Sequence, residues 1–326
     1  MYLGYKYRIY PNKTQQSIIN HWFGCSRFVW NTMLDANLKR ISKGKKRLTY
    51  NKTSSIITKQ KSGKKYFWLK DSESTCLQQK LRDLDKSFND WGKKVRGKPK
   101  FKSRFKTQGI RLTSGVKIIE GKLKLPKIKS LINIRLSRSI KSFTGVTITR
   151  DNLNRFFVSL LTEVEEKQVS SSDSIVGLDL GIKDFVTESS GEKHTNQKLT
   201  KKYSKRLATK QKKLSRKQKS SRNRLKAKLK VGKIHKKISN SREDYLHKLS
   251  KKLVVGNYLI CVEDLAVSNM IRNKKLSKAI ADCAWGKFLT MLSYKSKLYG
   301  STIVFVNRFY PSSKICNTCG WKNKDL

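Results

Sequence analysis

Residues 2–10 (Tyr-Leu-Gly-Tyr-Lys-Tyr-Arg-Ile-Tyr) alternate aromatic and basic side chains, the period-two pattern of a strand with one cationic edge. Pro11-Asn12 breaks it. Thr14 is then placed to cap a helix that carries Ile18, Ile19, Trp22 and Phe23 and continues towards Phe28, Trp30 and Leu34. A Lys/Ser/Gly-rich stretch over about 42–65 reads as a loop. After Asp71-Ser72, the side chains of Leu77, Leu81, Leu84, Phe88 and Trp91 recur at three-, four- and seven-residue spacing, the stripe of a second helix.

From Gly97 the period shortens. Alternating runs at Ile110–Thr113, Lys117–Glu120, Lys122–Leu125, Ile132–Leu136, Val146–Thr149 and Phe156–Thr162 are separated by Gly, Pro and Asn, as in a small antiparallel sheet or barrel. Residues 2–10 belong with it, so the helical segment 13–95 is an insertion after the first strand. Residues 168–173 read as a linker. A second domain opens on a strand (174–180), a turn at Gly181 and a return strand (184–188). Two long basic helices follow, about 200–218 and 223–254, joined at Ser220-Ser221. A strand at 257–263, a helix of about 279–299 and a strand at 301–306 complete it. The thin apolar seam of the basic helices runs through Leu207, Leu214, Leu225, Leu229, Ile234, Ile238, Leu246, Leu249 and Leu253.

Charge changes the picture next. The 75 Lys and Arg residues exceed the 22 acids by 53 on 326 residues, far more than solubility requires. A compact chain with that charge repels itself, so a polyanionic partner is expected. Nucleic acid is the stronger candidate, because each neutralised phosphate also releases counterions. A membrane surface is the weaker one, since no pronounced amphipathic face is visible. The 37% of hydrophobic residues can bury a real core, and the length suits about two domains of roughly 150 residues. No run approaches the ~20 apolar residues that span a bilayer. Lys6 and Arg8 interrupt any signal-peptide core. The six cysteines do not form a disulfide framework, so a reduced, cytoplasmic (nucleoid-associated) protein is expected.

Candidate chemistry lies at two strand ends. Ile175-Val176-Gly177-Leu178-Asp179 and Tyr258-Leu259-Ile260-Cys261-Val262-Glu263 are apolar runs that each finish in a carboxylate. Acids on neighbouring strands can share Mg²⁺, which prefers oxygen ligands and commonly takes one or two protein carboxylates plus phosphate. In a two-metal site the ions clamp the attacking and leaving oxygens of a phosphodiester displacement. The competing reading is local: Asp179 bonds within its turn and Glu263 caps the next helix. Asp-Leu-Gly after a strand also occurs in sugar-kinase-like ATPases, but a nucleotide does not call for a charge of +53.

Between the two acids, residues 193–252 hold 24 Lys/Arg against Glu243 and Asp244 alone. Charge runs are usually solvated faces. Here the cations surround both helices with few i,i+4 partners, so a phosphate backbone alongside is the favoured reading. The expected nucleic-acid contacts are Lys6, Arg8, Lys102, Arg104, Lys205, Arg206, Lys212, Lys213, Arg216, Arg222, Arg224 and Lys226. Phe101-Lys102-Ser103-Arg104-Phe105-Lys106 is either a stacking and phosphate strip or a strand with both Phe side chains in the core. Cys316-Asn317-Thr318-Cys319-Gly320 has the two-thiolate turn of a zinc site, which takes four protein ligands. No second pair is present, so Zn²⁺ is expected only if one is supplied. His21, His194, His235 and His247 read as surface residues or helix partners. The absence of His-x-His excludes tyrosine-type single-strand transposases, and the absence of a P-loop excludes a nucleotide-driven motor.

Tyr7-Arg8-Ile9-Tyr10-Pro11 with Gln15-Gln16, Gly177-Leu178-Asp179-Leu180-Gly181, Val262-Glu263-Asp264-Leu265 and Arg308-Phe309-Tyr310-Pro311-Ser312-Ser313-Lys314-Ile315-Cys316 resemble the TnpB family. That family is encoded by insertion sequences and related to type V CRISPR effectors. The resemblance spans nearly the whole chain. It implies an α/β plus β architecture: a wedge-like β-barrel (1–12 and 96–167), a helical recognition lobe (13–95), and a RuvC-type nuclease domain of ribonuclease H fold (174–326). The basic helical pair at 200–254 and half a zinc ribbon at 314–326 would be parts of that last domain. It also implies a guide RNA made from the element's end, which pairs with a double-stranded DNA target. By position Asp179 and Glu263 match the first and second catalytic acids, served by Mg²⁺ or Mn²⁺. Cys316 and Cys319 match half of the zinc element. Family members continue to a second Cys pair and a third catalytic aspartate, a role that Asp325 does not fill. Impaired cleavage with intact nucleic-acid binding is therefore the expectation. A nuclease-dead RNA-guided repressor and a non-catalytic RNA chaperone are the alternatives.

Overall fold

The computed structural model describes residues 1–140, 142–165, 174–307, 310, 315, 319 and 321–322. The linker expected at 168–173, Cys316 and Asp325 lie outside these. The chain divides into two compact units, residues 2–164 and residues 165–326 together with Met1.

The first unit begins with β1 (Tyr2–Tyr10), whose Tyr7 and Ile9 point into the core. Helix α1 (Lys13–Ser42) follows, capped by Asn12 and not by Thr14. Asn12 Oδ1 accepts the Gln15 amide at 2.9 Å and Gln15 Oε1 accepts the Asn12 amide at 2.9 Å, a reciprocal capping box that Thr14 has no partner to build. One helix then serves two cores. Its first turns place Ile19, Trp22 and Phe23 on the sheet, and its later turns place Val29, Met33 and Leu34 against other helices.

The expected loop at 42–65 is in large part a helix, α2 (Tyr50–Ser62). Its Lys, Ser and Thr content hid it, because only Thr53 and Ile57 are buried and tertiary packing stabilises what propensity does not. A 3₁₀ segment (Lys64–Asp71) leads to α3 (Ser74–Gly92), where Leu77, Leu81, Leu84 and Phe88 form the anticipated stripe.

The remaining strands are β2 (Gln108–Leu112), β3 (Lys117–Ile119), β4 (Lys122–Lys124), β5 (Ile132–Arg135), β6 (Gly145–Arg150) and β7 (Phe156–Glu163). All fall within one or two residues of the alternating runs. With β1 they make a seven-stranded antiparallel sheet in the order β2-β6-β7-β1-β5-β4-β3. The sheet curls around one core, in which Ile110 and Leu112 at one edge share a cluster with Leu123 near the other. Among the described residues β2 and β3 do not pair, so the expected barrel is a curled open sheet.

The second unit is built on β8 (Ile175–Asp179), β9 (Asp184–Glu188) and β10 (Lys193–Thr195), then α4 (Leu199–Lys202), α5 (Ser204–Ser215) and α6 (Arg222–Gly256). β11 (Leu259–Glu263), α7 (Val267–Met270), α8 (Ser277–Cys283), α9 (Trp285–Tyr299) and β12 (Thr302–Val306) complete it. The sheet order is β10-β9-β8-β11-β12, with β8, β11 and β12 parallel and the β8–β9–β10 meander antiparallel. Leu246, Leu249 and Leu253 of α6 join Phe288 and Leu292 of α9 in one core with Val176, Leu178, Ile260 and Val262 of the sheet.

The helix expected over 279–299 is two helices. Ala284 takes a left-handed conformation (φ 57°) between them. Cys283 and Trp285 are both buried, and residues two apart on a straight helix point in nearly opposite directions. The break lets both face the core. Among the described residues no helix is long and apolar enough to cross a membrane.

Candidate functional site

Asp179 and Glu263 come together through strand register. β8 and β11 are parallel, with Ile260 beside Val176 and Val262 beside Leu178. Those four side chains are buried on the helix-covered face. One residue further along each strand, the side chains point to the opposite face. Asp179 and Glu263 therefore share that face, at the carboxyl ends of adjacent parallel strands spaced about 4.8 Å apart. Asp179 is exposed and Glu263 half-buried. The carboxyl ends of parallel strands are where open α/β sheets bind ligands.

The turn beyond Asp179 is sterically fixed. A Cβ on Gly181 would sit 2.7 Å from the backbone oxygen of Asp184, so only glycine fits without moving the turn. Ser189 braces the strand from the other side, its Oγ accepting the Gly177 amide at 3.0 Å and its amide donating to the Gly177 carbonyl at 2.9 Å. On the β11 side, the Asp264 amide donates to the Val306 carbonyl at 3.1 Å, which holds the chain as it leaves the strand. Two carboxylates on one open face, with all-oxygen donors, fit a hard divalent cation such as Mg²⁺ or Mn²⁺.

Another carboxylate cluster was not anticipated. Glu188, Glu192 and His194 bring one ligand atom each within 4.8 Å of one another, and no other such group of three occurs among the described residues. Glu188 sits beside Leu178 in the register, so it lies on the face opposite Asp179. His194 Nε2 is 2.6 Å from Glu188, and Lys252 Nζ is 2.5 Å from Glu192. The lysine ammonium already takes the place of a cation there. The Lys252 contact holds the Glu192 carboxyl below the usual range.

The nominated cations fall in three places. In the second unit, Lys205, Arg206, Lys212 and Lys213 are exposed on α5, with Arg216 at its end, and Arg222 and Lys226 are exposed on α6. Arg224 instead closes the turn, donating to the carbonyls of Leu214 (3.1 Å) and Lys217 (2.8 Å). The α5–α6 groove encloses about 310 Å³ and is lined by Tyr203, Arg206, Lys210, Lys230, Lys233 and Lys237, with Ile234 at its floor. Of these cations only Arg206 was singled out from the sequence. The signal was present: Tyr203 at the start of α5 with 206 and 210 on it, and 230, 233 and 237 on α6, share the three-, four- and seven-residue spacing of a single face.

In the first unit, Lys6 and Arg8 lie on the outer side of β1. Lys6 Nζ is 4.7 Å and the Arg8 guanidinium 5.1 Å from the centre of the Phe157 ring, and Arg155 is 5.6 Å from it. Burial pushes the Arg8 guanidinium below its usual pKa, and Arg155 pushes it the same way. Lys102 and Arg104 lie on the connection between α3 and β2. That connection is not a strand there, and Phe101 and Phe105 are 55% and 69% exposed, so the core-strand reading is set aside. Cys319 is exposed.

Known proteins resemble the chain along its whole length. Residues 159–274 match the IS605 OrfB family model, described as "Probable transposase". A protein of Streptomyces pristinaespiralis named "Putative RNA-guided DNA endonuclease" is 39% identical over 97% of this chain and 80% of its own length. The chain belongs to the TnpB family. The Escherichia coli K12 protein of the same name with the suffix InsQ is 31% identical over 98% of this chain and 84% of its own. The "TnpB-like protein L770" of Acanthamoeba polyphaga mimivirus is 26% identical over 98% of this chain and 67% of its own.

Two further models match parts of this TnpB-family chain: a "Helix-turn-helix domain" at residues 1–46 and a "Cas12f1-like, TNB domain" at 285–325. Residues 1–46 hold one strand and one 30-residue helix, so no helix–turn–helix forms within them. The fold is that of a chain in a solved structure titled as a Cas12f1–sgRNA–target DNA complex, at TM-score 0.58 and 12% identity. The match covers 97% of this chain and 77% of that one.

Proposed function

We propose that this TnpB-family protein is an RNA-guided DNA endonuclease whose second unit is a RuvC-type nuclease domain of ribonuclease H fold. Asp179 and Glu263 would hold Mg²⁺ or Mn²⁺. The observation that carries this reading is their shared place on one open face at the ends of β8 and β11. When bound, a divalent ion there supplies charge to a phosphodiester as water adds to phosphorus and the 3′ oxygen leaves. The chain's own contribution is to fix the two carboxylates, through the Gly181 turn and the packed face beneath them.

The basic helices α5 and α6, with Lys6, Arg8, Lys102 and Arg104 of the first unit, would hold a guide RNA derived from the element's end and its DNA target by charge and shape, while base pairing reads sequence. The names and titles of the relatives support this division of labour. Cys316 and Cys319 would join a zinc site when a second ligand pair is supplied. Such an activity belongs with the element's DNA, on the nucleoid in the cytoplasm.

The test is expression of the full chain together with the transcript of the element's end. The protein should co-purify with that RNA and take up Mn²⁺, seen as a change in the ion's electron-spin resonance signal. Asp179→Ala and Glu263→Ala should each abolish Mn²⁺ uptake, reduce any guided cleavage by at least about 100-fold, and leave RNA affinity within about twofold. A chain that carries no RNA, or that takes up Mn²⁺ equally well without either acid, would refute the assignment.

A further inference from the structure

A second concave space lies within the first unit. It measures about 530 Å³, between α1, α3, the 96–108 connection and β6. That is within the roughly 300–1,000 Å³ of ligand pockets. Its lining includes Arg27, Lys80, Arg96, Lys100, Lys102 and Lys106 and no acidic residue.

The connection that carries four of these cations is held in place. Trp30 Nε1 donates to the Lys100 carbonyl at 3.0 Å. Asn31 clasps the Lys102 backbone at both ends, accepting its amide at 2.8 Å and donating to its carbonyl at 3.0 Å. Arg27 Nη1 donates to Gln108 Oε1 at 2.9 Å, and Gln108 Nε2 donates to the carbonyls of Ser103 and Lys106.

The cations so assembled repel one another. Burial lowers the Arg27 pKa, and Arg104 and Arg150 lower it further. Burial lowers that of Lys80, whose Asp83 neighbour opposes the shift while Lys102 adds to it. Two of the six have a carboxylate partner, Asp83 at 3.6 Å from Lys80 and Asp90 at 3.7 Å from Arg96, and neither acid belongs to the lining. Two buried hydroxyls on the lining, Ser26 Oγ and Thr149 Oγ1, have no hydrogen-bond partner among the described residues. An orphaned buried polar group calls for a missing ligand or water.

We infer that this cavity is a phosphodiester site for a single nucleic-acid strand, with Lys80, Arg27 and Lys102 around the phosphate, Ser26 and Thr149 donating to it, and Phe101 stacking an adjoining base. An anion there relieves the crowding of the cations and satisfies both hydroxyls. The exposed Phe101 at its rim distinguishes a polynucleotide from a free anion, since every base offers a face to an aromatic ring. This rests on the nucleic-acid-binding part of the proposed function and adds a defined seat to it.

The test uses the full chain and fluorescein-labelled single-stranded 12-mers of mixed sequence, one RNA and one DNA, titrated at several salt concentrations. Wild-type affinity should fall steeply with salt. Lys80→Met and Lys102→Gln should each weaken binding about five- to tenfold and reduce the slope of log K against log salt by about one. Phe101→Ala should weaken binding without changing the slope. Lys59→Gln, an exposed cation on α2, should do neither. Effects in one arm only identify the strand, and effects in both assign the seat to the phosphodiester that RNA and DNA share. Steep wild-type binding with Lys80→Met and Lys102→Gln indistinguishable from Lys59→Gln would overturn the site and leave the wider reading standing. A flat wild-type response would overturn both.

Discussion

Lys295 offers a direct measure of how the second unit tolerates its own charge. Its side chain is buried between α9 and α6, with the residue 7% exposed, and Nζ donates to the His247 carbonyl at 2.6 Å and to Ser250 Oγ at 2.8 Å. Burial, reinforced by Lys251, pushes its pKa from the usual 10.5 down to about 8. One pKa unit is about 1.4 kcal/mol, so the shift sets an upper bound of about 3 kcal/mol on the penalty for holding the ammonium there. Water reaching the site reduces it. The sign follows from proton counting. Below about pH 8 both the folded and unfolded forms carry the proton, and the full penalty is present. Between pH 8 and 10.5 the unfolded chain holds a proton that the folded chain has shed, so stability rises with pH. Other lysines titrate in the same range, which makes Lys295→Met the necessary reference: it keeps the length of the side chain and removes the charge. Urea unfolding of both proteins at fixed salt, from pH 7 to 10.5, should show the wild type gaining on the variant by up to about 3 kcal/mol across the window. A difference that stays flat over that range would show that Lys295 is solvated in the folded state and that the reasoning fails.

Gly181→Ala should destabilise the second unit by about 1–3 kcal/mol, because its new methyl group would stand 2.7 Å from the Asp184 carbonyl oxygen; a melting temperature equal to wild type would show that the turn relaxes freely. Burial pushes the Cys25 thiol up to about 11 and the Cys76 thiol up to about 12, so at pH 8 iodoacetamide should spare both in the folded chain and label the exposed Cys319, as read by peptide mass mapping; rapid labelling of Cys76 without unfolding would contradict its burial.

Legibility in the sequence followed how strongly each element is tied to a core. The six strands from β2 to β7 were readable because each alternates over a single buried face, as in the alternating burial of Phe156, Val158, Leu160 and Thr162. The stripe of α3 was readable for the same reason. Helix α2 was not, since two buried residues in thirteen leave almost no periodic signal. The break at Ala284 was hidden because its cause is tertiary: two nearby side chains, Cys283 and Trp285, are both drawn to one core. At the candidate sites, the acids could be found as polar ends of apolar runs. The cavity around Lys80 was visible only in part: the alternation of residues 101–106 marked one wall, but its meeting with residues of α1, α3 and β6 is tertiary. Phe101 and Phe105 look the same in a sequence whether they are core or surface, and only the exposure of both rings in the folded chain decides it.

The pairing of Asp179 with Glu263 is a property of the core beneath them more than of the acids themselves. A strand's side chains alternate between faces, so slipping β11 by one residue against β8 would turn Glu263 towards Leu246 and Leu253 and expose Val262. Burying a carboxylate among these apolar side chains and exposing a valine are both unfavourable, which ties the register to the apolar face. Val176, Leu178, Ile260 and Val262 therefore position the carboxylates from the opposite face of the sheet. It follows that volume-conserving changes at these four positions leave the pair in place, whereas a polar residue at Val262 weakens the burial that distinguishes this register from the next.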